Sequence, residues 1–563
     1  MYEKKSSIKV FPTYSIIFKE GKEEVIAMLS TEGLAEKYII FTTMLSANLY
    51  AGHIKDNLIQ ERFMVEFHDA LCETKDGRLI LDWLLSNGLK SLNVNNYCLM
   101  ELYCLLLKYN QTRCKNTSLS KNEQLLYLKL ILIANEKRFD EYNDFQKNLK
   151  SITPYDEFAY EKLFWPILLP ETDINENIRI EYEMFRLKTF VDGVLEIHPN
   201  MNNEIDYFFH ERGFDDYQTY ASTLAIFYLD YITSYTNQGK IKFVIAEDEQ
   251  RKNLLSPLAI NQVENDSYLS LKSHPVYYYQ KGYYVIHWNY LLSQIFTGTF
   301  MALKGKLNAC GLNDIKKESG TIVEKTLLKN VLKTSFGKIW QKALFDEQGR
   351  GLPDAIFRMG NHLFIIELKD SLMKESIMES ADFESIEKYF TETFIQSGKG
   401  KKKGIKQLTA YITDYIKGKY EKQGFPYNRR LNIYPLIVVT DYKYRLNGLN
   451  HFLSVKFDEI IKQDAALLPI RKKIRPLTII GLDSMFNLQF KFQSKQIKFA
   501  DSIDNYHKYV KINKKRREYK GVVKFSQLYP SYDRYLPDNR NFLMPVSEIE
   551  ILFKDFFNLQ TNA

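Results

Sequence analysis

The sequence predicts a multidomain α+β protein, in which a mostly helical N-terminal region precedes an αβββαβ core, a mixed sheet with helices against it. Three observations predict this class. The chain has 563 residues, which is more than one ordinary hydrophobic core accommodates. Apolar residues recur with the period of helices up to about residue 237, and β-rich runs begin only near residue 241. We therefore expect four segments, at 1–240, 241–310, 311–445 and 446–563.

The segment 1–240 is expected to be a helical regulatory or partner-binding domain. In Ser120–Arg138, Ser120 and Glu123 have the spacing of a capping box, in which each side chain satisfies a backbone N–H at the helix start. Apolar residues cover most of this helix, which predicts burial on more than one side. Asn177–Leu195 and Tyr217–Thr233 repeat the helical pattern.

The segment 241–310 is expected to be a small connecting module of a β-hairpin and a helix. Pro275–Tyr279 and Tyr283–His287 are β-rich runs, and the short stretch between them ends in Gly282. Glycine favours tight turns, so we expect Gly282 at the turn of this hairpin. Trp288–Lys304 then has a helical pattern.

The segment 311–445 has an order of elements typical of a mixed sheet with helices against it. Its elements are helix Thr321–Lys333, strands Lys338–Phe345, Leu352–Arg358 and His362–Lys369, an acidic helical insertion Leu372–Ile395, helix Gly404–Lys417 and strand Asn432–Thr440. The tail, 446–563, adds a strand at Pro476–Ile480 and several helices, the last at Val546–Phe557. The sequence leaves open whether this tail is a separate domain or packs on the core.

The composition predicts a soluble, cytoplasmic protein without a membrane segment. The five cysteines are odd in number and form no C-x-x-C pair, which argues against a disulfide framework or a zinc knuckle. No apolar run reaches the roughly 18 residues of a membrane helix, and the N-terminus lacks the apolar stretch of a signal peptide. The formal net charge of +8 is mild and permits, without requiring, a nucleic-acid partner. The chain also has no P-loop motif for ATP hydrolysis.

The stretch GLPDAIFRMGNHLFIIELKD contains the residues that carry chemistry. Gly360-Asn361 suits a two-residue hairpin turn between its two strands. With that turn Met359 pairs with His362, and Asp354 faces Glu367 at about 5 Å between Cβ atoms. Glu367 and Lys369 are two residues apart and share a face of the strand. A three-residue loop would shift the pairing by one residue.

Two carboxylates and an ammonium group on one face suggest a divalent cation. Like charges at this distance are costly without a counter-ion. Oxygen ligands with open water positions suit Mg²⁺ or Mn²⁺, which can polarise a phosphoryl oxygen and lower the pKa of a bound water. Lys369 is suited to positioning the attacking water or to stabilising charge that develops on a phosphate. The alternative is a partly buried ion pair between Glu367 and Lys369, which leaves Asp354 unexplained.

Pro353-Asp354, followed after thirteen residues by Glu367-Leu368-Lys369, resembles the motif of the PD-(D/E)XK nuclease superfamily. The resemblance covers about 320–440 and implies a restriction-endonuclease-like αβββαβ core, with 311–445 as the nuclease domain. It implies Asp354, Glu367 and Lys369 as catalytic residues, with Gln407 on the following helix. It also implies a metal ion held by Asp354, Glu367, the carbonyl group of Leu368 and Glu324 on the first core helix.

Three features make the match less direct. Glu318 competes with Glu324 for the position on the first helix, and a surface role is the alternative for both Glu324 and Gln407. The stretch 370–398 is a long insertion between the catalytic strand and the Gln407 helix. Asp370 directly follows Lys369, and strand alternation predicts that it points to the opposite face.

Basic clusters in the C-terminal half are candidates for contacts with phosphates. The cluster nearest the site is a Gly-rich loop, and contacts of this kind weaken as salt rises. A solvated surface loop is the alternative. The first cluster contains Lys399, Lys401, Lys402, Lys403 and Lys406; the second contains Arg471, Lys472, Lys473 and Arg475; the third contains Lys514, Lys515, Arg516 and Arg517.

These features together predict a Mg²⁺- or Mn²⁺-dependent endonuclease that hydrolyses DNA. The resemblance implies a bacterial defence or restriction-type effector, with an antiviral role and with a regulatory protein partner bound through the N-terminal helices. A repair or mobile-element nuclease, and an inactive nuclease fold that only binds nucleic acid or protein, are the alternatives. Cleavage of both DNA strands requires two active centres or two events, so a homo-oligomer is plausible although no interface is legible.

Overall fold

The computed structural model describes most of the chain. The described residues are 12–19, 21–51, 64–89, 92, 94, 96–151, 158–175, 178–238, 244–261, 268–312, 322, 326–337, 343–346, 351–378, 382–515, 528–536, 550–552, 554 and 556–557. Four residues of interest from the sequence, Glu318, Glu324, Arg516 and Arg517, lie outside them.

Residue contacts divide the chain into two compact units. The first comprises Met1–Lys150, Phe209–Asp215 and Thr219–Gly298. The second comprises Ser151–Phe208, Asp216–Gln218 and Thr299–Ala563. The candidate site, its sheet and the helical stretch 151–208 therefore belong to the same unit.

The first unit is mainly helical. The capping box is confirmed, because the backbone N–H of Ser120 donates to Glu123 Oε2 across 2.6 Å and that of Glu123 donates to Ser120 Oγ across 3.4 Å. The helix that follows is buried on more than one side, as expected. The helices are Tyr14–Ile17, Lys22–Ala27, Leu34–Ala51, His68–Glu73, Lys75–Ser86, Asn96–Lys108, Lys121–Ser151, most of Tyr217–Gln238, Glu249–Leu255, Tyr268–Ser273 and Trp288–Leu292.

A small sheet of four strands lies in the first unit. Its strands are β1 (Val244–Ala246), β2 (Ala259–Ile260), β3 (Val276–Tyr279) and β4 (Gly282–Val285). They are arranged in the order β1-β4-β3-β2, with only β2 and β3 parallel.

The expected position of Gly282 in the β3–β4 turn is wrong. Tyr279 pairs with Gly282, so the turn consists of Gln280 and Lys281, whose φ angles are 43° and 60°. Glycine is needed in the strand instead, because a Cβ atom at Gly282 would lie 2.6 Å from Val244 Cγ1 on β1. A contact with a neighbouring strand, which the local sequence does not reveal, therefore accounts for glycine at this strand position.

The second unit contains a five-stranded mixed sheet and confirms the multidomain α+β class. Its strands are β5 (Ala343–Phe345), β6 (Ala355–Met359), β7 (His362–Lys369), β8 (Asn432–Val439) and β9 (Thr478–Gly481), hydrogen-bonded in that order. The strands β5, β6 and β7 are antiparallel, whereas β7, β8 and β9 are parallel. Since β9 comes from the tail, the open question is answered: this part of the tail completes the sheet.

Helices surround this sheet in the second unit. They are Ala159–Asn175, Ile180–Ile197, most of Asn202–His210, Thr299–Ala309, Leu328–Phe336, Glu375–Met378, Phe383–Phe394, Gly404–Ile416, Leu449–Gln463, Leu482–Gln493, Phe499–Lys515 and Tyr532–Tyr535. The expected terminal helix Val546–Phe557 lies partly outside the described residues.

Both faces of the second sheet are covered. On one face, Leu363 of β7 shares a buried core with Leu408 of the helix Gly404–Ile416. On the other face, the ring of Phe364 lies 4.7 Å from that of Phe357 and 5.2 Å from that of Phe499. Alternation along β7 thus assigns odd-numbered residues to the first face, which also carries the candidate site.

The acidic stretch after β7 forms part of this core. Its helix Phe383–Phe394 buries Ile386, Phe390 and Phe394 completely. The ring of Trp165 lies 5.1 Å from that of Phe390. The charged residues that made the stretch look like an insertion occupy the opposite side of an amphipathic helix.

In the described part of the chain, every helix is too short or too polar to cross a bilayer.

Candidate active site

The β6–β7 hairpin has the register expected from the sequence. Met359 pairs with His362 across a two-residue turn, and Gly360 has a φ of 56°. The last strand pair is Ala355 with Ile366. Continuing the register by one residue sets Asp354 opposite Glu367, which confirms the expected pairing.

Asp354 is held at the start of β6 by the neighbouring strand. Its Oδ2 accepts a hydrogen bond of 2.6 Å from the backbone N–H of Leu368. In an extended strand the N–H and C=O groups of one residue point to the same edge. The carbonyl oxygen of Leu368 is therefore directed toward Asp354 as well, which suits it as a third oxygen ligand.

Glu367 and Lys369 interact directly on the same face of β7. Lys369 Nζ donates to Glu367 Oε1 across 2.6 Å. Glu367 is 4% exposed, whereas the Lys369 side chain keeps 15% of its surface exposed. The site therefore places a buried carboxylate beside a lysine side chain that is partly exposed.

Gln407 joins this group from the helix Gly404–Ile416. Its Oε1 accepts from Lys369 Nζ at 3.2 Å and from the backbone N–H of Gly404 at 2.9 Å. Gly404 has a φ of 40°, and a Cβ atom there would lie 2.2 Å from the carbonyl oxygen of Phe394. Glycine thus allows the start of this helix to pack closely against the end of the helix Phe383–Phe394. This packing fixes the position of Gln407 relative to Lys369.

Burial raises the pKa of Glu367 to about 7, above its ordinary value of 4.5. Lys369 favours the ionised form and opposes this rise, whereas the nearby carboxylate of Asp354 adds to it. The two acids therefore lie close enough to interact electrostatically. In the absence of further positive charge, holding both ionised is unfavourable.

Tyr411 belongs to the site, although the sequence analysis missed it. Tyr411 lies close enough to Glu367 and Gln407 to affect the site, because it opposes the rise in the pKa of Glu367, and its side chain is 8% exposed. Burial, followed by the charges of Glu367 and Asp354, raises the pKa of Tyr411. The available signal was helical spacing, since residues four apart share a helix face and Tyr411 is four residues after Gln407.

The acidic donors of the site fit a hard divalent cation. Asp354 and Glu367 supply carboxylate oxygens, and Leu368 supplies a carbonyl oxygen on the same side. Among the residues that the structure describes, no group of three or more His, Cys, Asp or Glu side chains is placed to hold a metal ion. A cation here would therefore keep several waters or substrate oxygens, as Mg²⁺ commonly does.

Asp370 lies on the other face of the sheet, as expected. Its Oδ1 accepts a hydrogen bond of 2.6 Å from Thr440 Oγ1. Burial raises its pKa, and the guanidinium group of Arg186 opposes that rise. Arg186 is itself buried and lies 3.1 Å from Glu183 Oε1. Asp370 is thus part of a separate buried charge network.

The first basic cluster forms the loop that leads into the Gln407 helix. Lys399, Lys401 and Lys402 are exposed, and Lys403 and Lys406 are half-buried. Lys406 Nζ is hydrogen-bonded to Gln396 Oε1. No acidic side chain within the described ranges forms an ion pair with the other four lysines, so their charge is available to a polyanion.

No protein-family model matches the chain, and no curated protein or solved structure shows significant similarity to it. The functional conclusion therefore depends on the geometry of the site.

Proposed function

We propose that this protein is a metal-dependent nuclease that hydrolyses phosphodiester bonds of DNA. The observation that carries the proposal is the convergence of Asp354, Glu367 and Lys369 on one face of a hairpin, with Gln407 holding Lys369. A structural ion pair needs only Glu367 and Lys369. It gives no reason for a second carboxylate, fixed by the backbone of Leu368, to lie beside the first.

The raised pKa of Glu367 supports a cation at this place. Burial and the charge of Asp354 both disfavour its ionised form. A divalent ion held by Asp354, Glu367 and the Leu368 carbonyl group would remove this penalty. When bound, Mg²⁺ or Mn²⁺ would supply a Lewis acid for a phosphoryl oxygen and a water of lowered pKa.

Lys369 and Gln407 have separable tasks in this proposal. Lys369 would donate to a non-bridging phosphate oxygen or to the attacking water, since its Nζ lies at the exposed side of the acids. Gln407 would act as a positioning residue, because its amide oxygen binds the same Nζ and the start of its own helix. The lysine-rich loop before that helix would contact the DNA backbone.

The order of elements also supports the proposal. The helix Leu328–Phe336 precedes β5, β6 and β7, and the helix Gly404–Ile416 precedes β8. This is the order that the resemblance to the PD-(D/E)XK superfamily implies. A role as a bacterial defence endonuclease, located in the cytoplasm and regulated through its helical region, extends the proposal from the same resemblance.

Plasmid cleavage tests the proposal. The full chain is incubated with supercoiled DNA and Mg²⁺ or Mn²⁺, with EDTA as the metal-free control. Asp354→Asn keeps an oxygen for the Leu368 N–H, so it should fold normally while losing cleavage. Glu421→Gln, at an exposed acid outside the site, is the matched control and should cleave like the parent.

Equal cleavage by the parent and Asp354→Asn would refute the assignment. DNA binding without cleavage by the parent under either metal would instead favour an inactive nuclease fold that acts as a binding module.

A further inference from the structure

A cavity lies beside the stretch that leads into the edge strand β9, away from Asp354 and Glu367. Its volume is about 850 Å³, and the helices Leu449–Gln463 and Phe499–Lys515 line it together with the turn Leu468–Lys473. We call it the edge cavity. Ile474 pairs with Ile433 at the start of β8, whereas Glu367 pairs with Ile437. The cavity and the candidate active site therefore lie at positions about four residues apart along β8, a distance of about 13 Å.

The floor of the edge cavity is aromatic. Tyr529 and His451 line it and are stacked, with ring centroids 4.1 Å apart and an interplanar angle of 26°. His451 Nδ1 lies 2.7 Å from Oε1 of the buried Glu161, which fixes the orientation of the imidazole ring. Phe457 and Tyr506 also line the cavity, but they are almost completely buried and support this surface from behind. A planar, largely apolar group fits such a floor.

The floor carries little charge of its own. His507 Nε2 lies 2.7 Å from Thr478 Oγ1, and burial lowers the pKa of His507 to about 3. It is therefore neutral at physiological pH. The side chain of Asn450 binds the carbonyl oxygen of Leu477 and the N–H of Ile479. These backbone groups of the edge strand are therefore already hydrogen-bonded. A peptide that added to the sheet as a further strand would lack them as partners.

The rim, in contrast, is basic. Lys462, Arg471, Lys472, Arg475 and Lys511 line it, against two acids, Asp458 and Glu459. Asp458 is already neutralised, because Arg471 donates to both of its oxygens at 3.0 and 2.9 Å and Lys462 Nζ lies 2.8 Å away.

Three of the rim cations retain capacity for an anion. Arg475 lines the cavity with 34% of its side chain exposed and forms an ion pair of 3.4 Å with Asp504 through one terminal nitrogen. Lys472 and Lys511 are exposed and pair with no acid in the described ranges. A phosphate group suits this arrangement, since guanidinium and ammonium donors both bind phosphate oxygens.

We infer that the edge cavity is a binding site for a nucleoside phosphate. The aromatic floor accepts the base, and Lys472, Arg475 and Lys511 bind the phosphate. The volume lies within the range of roughly 300–1,000 Å³ typical of small-ligand sites. The ligand is a free nucleotide or the phosphorylated end of a strand, which share this chemistry. The inference does not depend on the nuclease proposal, because no residue of that site takes part.

Calorimetric titration of the full chain in EDTA tests the inference without cleavage. The probes are AMP, dTMP and inorganic phosphate. The double variant Lys472→Glu/Lys511→Glu should weaken AMP and dTMP binding by about tenfold or more, because two cations become anions. Lys473→Glu/Lys508→Glu is the matched control, since both lysines are exposed neighbours outside the cavity lining, and it should bind like the parent.

A second arm identifies the source of the phosphate. A hexathymidylate with a 5′-phosphate is compared with one that has a 5′-hydroxyl group. Tighter binding of the phosphorylated strand, with competition by AMP, supports a strand end as the ligand; binding of AMP or dTMP alone supports a free nucleotide. Absence of binding by all nucleotides and strands, or equal losses in both double variants, would overturn the inference.

Discussion

Lys369 Nζ and Glu367 Oε1 are 2.6 Å apart on one face of β7, and the amide oxygen of Gln407 accepts a second hydrogen bond from the same Nζ at 3.2 Å. The ammonium group is thus shared between the strand and the following helix. It neutralises part of the acidic site while its tip stays accessible. Substitutions of Lys369 or of its neighbours should therefore change the charge balance of the site.

Replacing the ammonium group tests its role directly. Lys369→Met keeps the aliphatic length and removes the charge, so we expect DNA cleavage to fall by about 10²–10³-fold while DNA binding persists. Initial cleavage rates and gel-shift affinities measure the two effects. Lys374→Met, at an exposed lysine five residues later, is the control. A cleavage rate of Lys369→Met within twofold of the parent would exclude the lysine from the chemistry.

Glu367 should make the stability of the metal-free protein depend on pH. Its pKa of about 7 in the folded protein exceeds the ordinary 4.5, so the folded state holds the proton more tightly. The resulting stabilisation is fully present below pH 4.5 and is lost as pH rises through about 7. In EDTA, the Tm of the parent should therefore fall relative to that of Glu367→Gln across this window.

The same comparison with Mg²⁺ provides a control. At a pH above this window the metal should raise the Tm of the parent and leave Glu367→Gln nearly unchanged, because only the parent keeps both carboxylates. A Tm difference that stays constant with pH would contradict the burial of an ionisable Glu367.

Tyr411 is expected to tune Glu367. Its hydroxyl favours the ionised carboxylate, so Tyr411→Phe should raise the pKa of Glu367 and shift the acid limb of the pH–rate profile upward.

Tyr415→Phe, one helical turn later, is the matched control. The Tyr415 hydroxyl accepts from the backbone N–H of Asn428 at 3.0 Å, away from the acids. This variant should lose stability without a change in the acid limb. An equal shift in both variants would assign Tyr411 a purely structural role.

The lysine-rich loop should contribute affinity without sequence preference. A triple Ala variant at Lys399, Lys401 and Lys402 is expected to weaken DNA binding uniformly across sequences. If each lysine contacts one phosphate, the slope of log affinity against log salt should fall by about 3. Fluorescence anisotropy over a salt series measures this slope.

A triple Ala variant at Lys417, Lys419 and Lys422, at the other end of the same helix, removes an equal charge. It should leave the slope nearly unchanged. Identical slopes for both triple variants would show that the loop contributes only through net charge.

Local pattern was sufficient to predict the hairpin that carries the site. Gly360-Asn361 specifies a two-residue turn, and alternation then determines which residues face Glu367, so the register of Asp354 follows from about fifteen neighbouring residues. The opposite orientation of Asp370 follows from the same rule. These features depend on contacts close in sequence.

Features that depend on distant contacts could not be predicted in this way. The role of Gly282 as a strand residue depends on Val244 in another strand, and β9 joins the sheet about forty residues after β8. Tyr411 was missed because its partner, Glu367, lies on a strand far away in sequence. The helix Phe383–Phe394 was taken for an insertion because its buried face is recognisable only beside Trp165.

The influence of the Arg186 charge on Asp370 affects how this protein can be dissected. Arg186 lies on the helix Ile180–Ile197, far upstream of β7, yet its charge favours the ionised form of Asp370, the residue directly after Lys369. A shortened chain starting at residue 241 or 311 would keep every residue of the motif but leave Asp370 without this counter-charge. Fragments that include residues 151–208 together with 299–563 are therefore the ones expected to remain folded.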